Sequence, residues 1–228
     1  MKKPGIRAAI VAVLMLVTGV GTAGYASAAS ASQSSWVQRD GRVEVRQLST
    51  SAAADLQRQI DDTLRTTTGG VQVSANEIAY QGGNVVLSLP LPGQRTAPAS
   101  SKAALALTEP AASSAAGAVV PYDAYGCPAG ASDNRWYCFY QDANFGGWRL
   151  QWNYQHCDVQ HGDYLDFVNY NFAAETSSWV NTGTLYVFTF DAGWYPLWTE
   201  NPAQQPGYTA SSYVGNEEND RAFYAEAC

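Results

Sequence analysis

Residues 138–152 read CFYQDANFGGWRLQW. Two aromatic-rich runs flank the segment DANFGG, and Asp, Asn and Gly are residues that turns favour. In the second run, WRLQW, apolar side chains alternate with Arg149 and Gln151, which is the pattern of a half-buried strand. The stretch therefore predicts a β-hairpin with a bend at its centre, and it places Arg149 and Gln151 on the face opposite the apolar one.

The bend itself makes specific physical demands. If the hairpin folds back on its own sheet, Tyr140 and Phe145 come together, and one backbone position adopts a positive φ that glycine tolerates at low cost. Gly147 stands at that position. The hydroxyl of Ser177 or Ser178, further along the chain, can then hydrogen-bond the folded hairpin. The prediction for this stretch is architectural rather than catalytic.

The region 121–228 carries most of the aromatic residues, with six of the seven tryptophans and twelve of the fourteen tyrosines. Short aromatic or β-branched runs alternate there with Gly, Asn, Asp and Pro, so we predict an antiparallel β-domain. The predicted strands are Trp136–Tyr140, Trp148–Trp152, Ser177–Asn181, Leu185–Phe190 and Leu197–Trp198.

The same region repeats itself weakly. A shift of 49 residues matches Asp142 with Asp191 and Phe145 with Trp194, and a shift of 46 residues aligns two runs further along. Because the offset between the matched residues is nearly constant, we predict two copies of one four-strand unit in this region. Pro196 replaces the glycine of the bend in the second copy, so we do not expect the second hairpin to fold in the same way.

The chain opens MKKPGIRAAIVAVLMLVTGVGTAGYASA, in which three basic residues precede an apolar run that ends in small residues. This order is typical of a secretory signal peptide. We predict residues 1–28 as the leader, cleaved after Ala28, with Ala26 as the alternative. A membrane anchor is the competing interpretation, but glycines interrupt the run. We therefore expect a secreted, extracellular protein.

A small helix-hairpin segment is predicted over 29–93. Apolar residues recur at helical spacing from Ala53 to Leu64. The runs VQVSANEIAY and NVVLSLPLP then flank the turn QGG and predict a hairpin. Residues 94–120, rich in Ala, Ser and Pro, predict a mobile linker. The sequence leaves open whether 29–93 is retained or acts as a pro-region.

All four cysteines lie in the last half of the chain, and an even number in an exported chain predicts two disulfides. The sequence has no Cys-x-x-Cys pair, which argues against a zinc site. Three pairings are possible. We prefer Cys127 with Cys138, which closes a short loop, and Cys157 with Cys228 follows by elimination.

The charge balance excludes two classes of partner. Removal of the leader leaves ten Lys and Arg against twenty Asp and Glu. Such an acidic protein repels phosphate backbones and anionic lipids. We therefore expect no nucleic-acid partner and, once the leader is removed, no membrane partner.

The one cluster of catalytic residue types lies in HCDVQHGD, which contains His156, His161, Asp158 and Asp163. It could serve a metal or a proton transfer, but a polar loop after a strand explains it as well. The sequence contains no G-x-S-x-G, no H-E-x-x-H and no glycine-rich phosphate loop. We therefore predict that the protein is not an enzyme.

The bend also carries a family resemblance. An aromatic residue, four residues, a second aromatic, any residue and Gly form the signature of βγ-crystallin Greek keys. A closer resemblance is to the Streptomyces metalloproteinase inhibitor family, whose single domain is also βγ-crystallin-like. Four stretches carry it, at 127–130, 138–147, 177–181 and 219–222. The resemblance implies a mainly β chain, with a double Greek-key β-sandwich over 121–228 preceded by a small α+β segment.

The resemblance also implies a function. It predicts a monomeric secreted inhibitor of an extracellular protease, a metalloprotease in particular, that inserts a rigid loop into the active-site cleft. One candidate loop follows Cys157. The other spans 198–208, where Asn201 lies between the strand and two prolines, Pro202 and Pro206, that stiffen the chain. The alternative is a non-inhibitory binding or structural module that recognises calcium or a polysaccharide.

An inhibitor of this kind requires no cofactor, but the resemblance implies calcium as a candidate ligand. Microbial βγ-crystallins that bind calcium share two Asn or Asp, two variable residues, then Ser or Thr followed by Ser. Here the first copy keeps Ser177 and Ser178 without the acids, whereas the second keeps Asn219 and Asp220 without the serines. Asp220 with Ser177 is therefore the candidate site. Calcium takes six to eight oxygens, so a structural turn is the favoured interpretation.

Overall fold

Two antiparallel sheets form most of the structure, and few helices accompany them. The computed structural model describes residues 34–39, 42–47, 50–107, 123–128, 136–158, 162–204 and 207–228. The predicted leader lies outside these residues. The fold is mainly β, as predicted, and two sheets are consistent with a β-sandwich.

The elements are named in chain order. The strands are β1 (Ser34–Arg39), β2 (Arg42–Gln47), β3 (Val71–Ser74), β4 (Glu77–Tyr80), β5 (Val85–Ser88), β6 (Asp123–Ala124), β7 (Cys127–Pro128), β8 (Tyr137–Asp142), β9 (Gly146–Trp152), β10 (Leu165–Asp166), β11 (Ser178–Asn181), β12 (Val187–Phe190), β13 (Pro196–Glu200), β14 (Thr209–Ser211) and β15 (Tyr224–Ala227). The α-helices are α1 (Thr50–Thr66) and α2 (Lys102–Leu105). The helix predicted in the N-terminal segment is confirmed, and so are the five strands predicted in the aromatic region. Their ends are shifted by a few residues.

The predicted N-terminal hairpin has three strands rather than two. Its first run, 71–80, divides into β3 and β4 at a turn that contains Asn76. Asn is a turn former, and the apolar residues change from odd to even positions between Val73 and Ile78. That change of parity is the signal in the sequence that the prediction of one continuous strand overlooked.

A seven-stranded sheet runs through both halves of the chain. Its order is β14-β11-β8-β9-β5-β4-β3. The junction is the antiparallel pair of β5 with β9, in which Leu87 lies opposite Leu150. The described residues accordingly fall within one compact unit, 32–228. The division of the chain into a helix-hairpin segment and a C-terminal domain stays a prediction. The seven-stranded sheet contains strands from both of these parts.

A four-stranded sheet of order β10-β15-β12-β13 lies on one face of the larger sheet. Strands β8 to β11 form the first four-strand unit and β12 to β15 the second. In each unit the third strand, β10 or β14, pairs within the sheet of the other unit. This reciprocal exchange supports the predicted duplication.

Backbone contacts repeat at the same offset of 46 residues. Ala174 N donates to Ala222 O at 2.8 Å, and Asp220 N donates to Thr176 O at 3.1 Å, so each contact is the counterpart of the other. Ala174 and Asp220 both adopt positive φ, at 58° and 56°. Two non-glycine residues in this uncommon conformation at equivalent positions confirm the repeat that the sequence predicts.

The main core lies between the two sheets and under α1. Phe139 stacks on Trp152 with ring centroids 5.2 Å apart, and Phe167 packs on Phe139 from the four-stranded sheet. Leu56 and Ile60, one helical turn apart on α1, join the same cluster. Each such buried side chain contributes about 1.5–3 kcal/mol, so the packing between the sheets and under α1 stabilises the fold.

The opposite face of the large sheet is also covered. Arg149 and Gln151 lie on it, as the alternation predicts, but both are fully buried rather than half-exposed. The Arg149 guanidinium makes five hydrogen bonds, among them to Ala97 O, Pro98 O and the hydroxyls of Ser88 and Ser100. Through its hydrogen bonds to these neutral acceptors, Arg149 holds the segment around Pro98 against the sheet.

This contact changes the interpretation of the predicted linker. Residues 94–107 are described, and Ala97, Ser100 and Ala104 are buried in that segment. Helix α2 begins after Ser101, whose hydroxyl accepts a hydrogen bond from Ala104 N at 3.1 Å. The first part of the predicted mobile linker is therefore packed, because Arg149 binds its carbonyl groups. Residues 108–120 lie outside the described residues.

Both predicted disulfides are present, with Cys127 bonded to Cys138 and Cys157 bonded to Cys228. They are compatible with an extracellular location. No helix in the described part of the chain has the length and apolar character to cross a bilayer.

Replacement of Arg149 by Lys should lower the free energy of unfolding by about 2–4 kcal/mol, because an ammonium group cannot match the five donors of a planar guanidinium. The control is Arg221→Lys, since Arg221 is half-exposed in its ion pair with Asp191 and the change should cost less than about 1 kcal/mol. Urea unfolding followed by tryptophan fluorescence measures both. Equal losses would contradict the role of Arg149.

Candidate functional site

The bend between β8 and β9 is a folded hairpin in the structure. Asn144, Phe145 and Gly147 all have positive φ, at 58°, 61° and 69°. The rings of Tyr140 and Phe145 meet edge to face with centroids 5.5 Å apart, as the sequence predicts. Phe145 also stacks on Tyr125 at 3.8 Å. The bend is thus a packed structural element.

Ser178 rather than Ser177 supplies the hydroxyl that holds this hairpin. Its Oγ donates to Asp142 O at 2.7 Å and accepts from Phe145 N at 3.1 Å. Gly147 N donates to Arg95 O at 2.8 Å. A Cβ atom on Gly147 would lie 2.7 Å from the Cβ atom of Gln141, so glycine is required here by space as well as by φ.

The second hairpin uses different contacts, as the loss of its glycine predicts. Asp191 Oδ1 accepts hydrogen bonds from two backbone amides, including Tyr195 N at 3.0 Å. Tyr224 occupies the position of Ser178, and its ring stacks on Trp194 at 4.1 Å with the planes 5° apart. A hydroxyl closes the first hairpin, whereas ring stacking and a carboxylate close the second.

The two residues predicted to bind calcium are adjacent. Ser177 Oγ donates to Asp220 Oδ1 at 3.5 Å, and Asn219 Nδ2 donates to Asp220 Oδ2 at 2.6 Å. Arg221 turns away from Asp220 and pairs with Asp191. Within the described ranges, no three His, Cys, Asp or Glu side chains are placed to hold a metal ion. Ser177 and Asp220 together offer three side-chain oxygens, fewer than the six to eight that calcium takes, and calcium binding stays a prediction.

The candidate inhibitory loop leaves β13 at Asn201. Its base is closed twice, because Ala203 N donates to Gly183 O at 2.8 Å and the Thr209 hydroxyl donates to Asn201 O. Ala203 is buried, whereas Asn201 and Gln204 are exposed and Pro202 is partly buried. Pro206 lies outside the described residues.

A buried acid, which the sequence analysis did not single out, lies at the start of this loop. Glu200 is fully buried opposite Val187. Trp198 Nε1 donates to its Oε1 at 3.4 Å, and its Oε2 has no hydrogen-bond partner among the described residues. Burial raises the pKa of this carboxyl group well above its usual value, and the bond from Trp198 opposes only part of that effect.

Three residues of the histidine cluster, His156, Asp158 and Asp163, lie close together. His156 Nδ1 contacts Asp163 Oδ1, and this interaction lowers the pKa of the Asp163 carboxyl group. Asp158 and Asp163 exchange backbone hydrogen bonds of 3.2 and 2.9 Å beside the Cys157 disulfide. His161 lies outside the described residues. The described part matches the polar loop that the sequence offers as the alternative to a catalytic cluster.

In comparisons with protein-family models, curated proteins and solved structures, no significant match to this chain is found. The resemblance to the metalloproteinase inhibitor family therefore rests on the sequence motifs alone and stays a prediction.

Gly147→Ala and Gly82→Ala form a matched pair, because the two glycines have φ of 69° and 66° but only Gly147 is crowded. The positive φ should cost each variant about 1–2 kcal/mol of unfolding free energy. Gly147→Ala should lose about 1–3 kcal/mol more through the clash with Gln141. Urea unfolding measures the difference, and equal losses would show that the bend is loosely packed.

Glu200→Gln should stabilise the protein at pH 7. A carboxyl group whose pKa is raised by folding binds more protons in the folded state than in the unfolded state. Its contribution to the free energy of unfolding is therefore complete below the unfolded pKa near 4.5 and is lost as the pH rises through the folded pKa. The variant should therefore melt higher than the wild type at pH 7, and the gap should close toward about pH 4. Thermal melts over this range test the sign, and a gap that widens in acid would contradict it.

Proposed function

We propose that the protein is a secreted inhibitor of an extracellular protease, and that residues 201–208 form the segment that enters the cleft of a metalloprotease. One observation carries the proposal: the loop is exposed at Asn201 and Gln204 while hydrogen bonds at Ala203 and Thr209 fix its base. An exposed segment with a fixed backbone is what a protease cleft can bind without ordering it first.

The loop is also restrained from within. Pro202 limits the backbone at its start. A Cβ atom on Gly207 would lie 2.8 Å from Gln204 O, so these two residues approach each other closely within the loop. Binding therefore costs little conformational entropy, which favours tight association even over a modest contact area.

The scaffold under the loop supports the same proposal. The strand exchange between the two four-strand units and the hydroxyl closure of the first hairpin are features that a double Greek-key, βγ-crystallin-like domain requires. The two disulfides restrain the domain further. A rigid domain of this kind can present a loop to a protease without being unfolded and digested.

A second segment on this scaffold is an alternative to the loop. In the segment that follows Cys157, Asp158 and Asp163 exchange two backbone hydrogen bonds beside the Cys157–Cys228 disulfide. Their carboxylates make the segment acidic, whereas residues 201–208 add no charge to the exposed surface. An apolar or neutral substrate cleft therefore favours residues 201–208.

The test uses protein recovered from the medium of a host that expresses the full chain. It should inhibit a thermolysin-type metalloprotease more strongly than a subtilisin-type serine protease in a peptide-cleavage assay. Pro202→Gly should raise the inhibition constant about 2- to 5-fold, because a freer loop costs about 0.4–1 kcal/mol more to order. Pro92→Gly, a proline outside the loop, is the control. Failure to inhibit either protease, or equal effects of the two variants, would contradict the proposal.

A further inference from the structure

The outer face of the four-stranded sheet is aromatic. Along β12, Val187 and Thr189 are buried inward, so Phe188 and Phe190 point outward and are only partly buried. Neighbouring elements add further rings to this face. The resulting aromatic strip consists of Tyr164, Tyr186, Phe188, Phe190, Trp194 and Tyr224. Tyr186 is 48% and Trp194 36% exposed, which is high for rings of this size.

Ring contacts connect the strip almost from end to end. The Phe190 and Trp194 centroids lie 5.7 Å apart, and Trp194 stacks flat on Tyr224 at 4.1 Å. Tyr164 meets Tyr224 edge to face at 5.4 Å. At the opposite end, Tyr186 lies 6.3 Å from Phe188 in a stacked orientation. The rings support one another, so the surface exists before any ligand arrives.

Carboxylates flank the strip. Asp166 lies opposite Tyr224, and Glu226 lies opposite Phe188, on the same face of the sheet. Burial and then the negative charge of Asp158 raise the pKa of Glu226. The strip thus combines flat apolar surface with hydrogen-bond acceptors at its edge. Binding sites that need orientation as well as contact area are built in this way.

We propose that the aromatic strip binds an uncharged polysaccharide. The C–H faces of sugar rings pack on the electron-rich faces of aromatic rings, and sugar hydroxyls donate to carboxylates. The strip offers both kinds of contact. Phe188 and Phe190, two residues apart on one strand, and the Trp194–Tyr224 stack beyond them form an extended platform rather than a closed pocket, which suits a chain more than a single sugar.

The charges argue against the other occupants of such a face. In a symmetric pair of two copies the same patch meets itself, so Asp166 and Glu226 of both copies would lie in one interface. The chain has a net charge of −7, which adds to that repulsion and also disfavours an anionic lipid surface. An uncharged polymer is the occupant that these carboxylates bind without an electrostatic penalty.

The test is depletion of the purified full chain from solution by microcrystalline cellulose and by chitin. Depletion by at least one of them is expected, and it should persist in about 1 M NaCl, where charge interactions are screened within ~3 Å. Trp194→Ala and Tyr186→Ala, at opposite ends of the strip, should each weaken binding about tenfold. The control is Tyr213→Ala, which removes a ring of similar exposure outside the strip and should bind as the wild type does.

Thermal melts establish that each variant is folded, and Tyr186→Ala keeps the test decisive if Trp194→Ala unfolds. No depletion by either polymer, loss of binding in salt, or binding unaffected by both strip variants would overturn the proposal. A wild-type dimer that Trp194→Ala dissociates, seen by light scattering, would assign the strip to a second copy instead. No protease is present, so these outcomes are independent of the inhibition assay.

Discussion

The folded hairpin centred on Gly147 is the constraint on which the rest of the structure depends. Its positive φ lets the backbone turn back so that Gly147 N reaches Arg95 O, while Asn144 N reaches Ser212 O and Ser178 bonds the hairpin from a third direction. Three segments distant in the chain therefore meet at one bend. A side chain at this position would clash with Gln141 at the point where these contacts meet.

The second constraint is burial of both faces of the central strands. One face packs on the four-stranded sheet through Phe139 and Trp152, and the other is covered because Arg149 binds the carbonyl groups of Ala97 and Pro98. The helix-hairpin segment adds β3 to β5 to the same sheet, so it extends the core instead of standing beside it. The four-stranded sheet, which carries the aromatic strip and the start of the candidate loop, therefore packs on a larger sheet built from both halves of the chain.

The two copies of the repeated unit have diverged in a way that bears on function. Where the first copy uses the small hydroxyl of Ser178 to close its hairpin, the second has Tyr224 stacked on Trp194. The first hairpin thus buries its rings, Tyr140 and Phe145, whereas Trp194 and Tyr224 of the second stay partly exposed on the outer face. The first copy is the structural half of the proposed scaffold, and the second copy carries the candidate inhibitory loop and every ring of the aromatic strip except Tyr164.

Local residue patterns were enough to predict the features that depend on neighbours in the chain. Alternation predicted the aromatic strands, and the φ > 0 requirement predicted Gly147. The even number of cysteines predicted two disulfides, and the short loop between Cys127 and Cys138 predicted their pairing. The pairing of β5 with β9, the burial of Arg149 and the unpaired Glu200 oxygen could not be predicted, since each depends on a segment far away in the sequence. The same holds for the strip. Alternation puts Phe188 and Phe190 on one face, but only the packing of the sheets determines that, among the described residues, this face is left partly exposed.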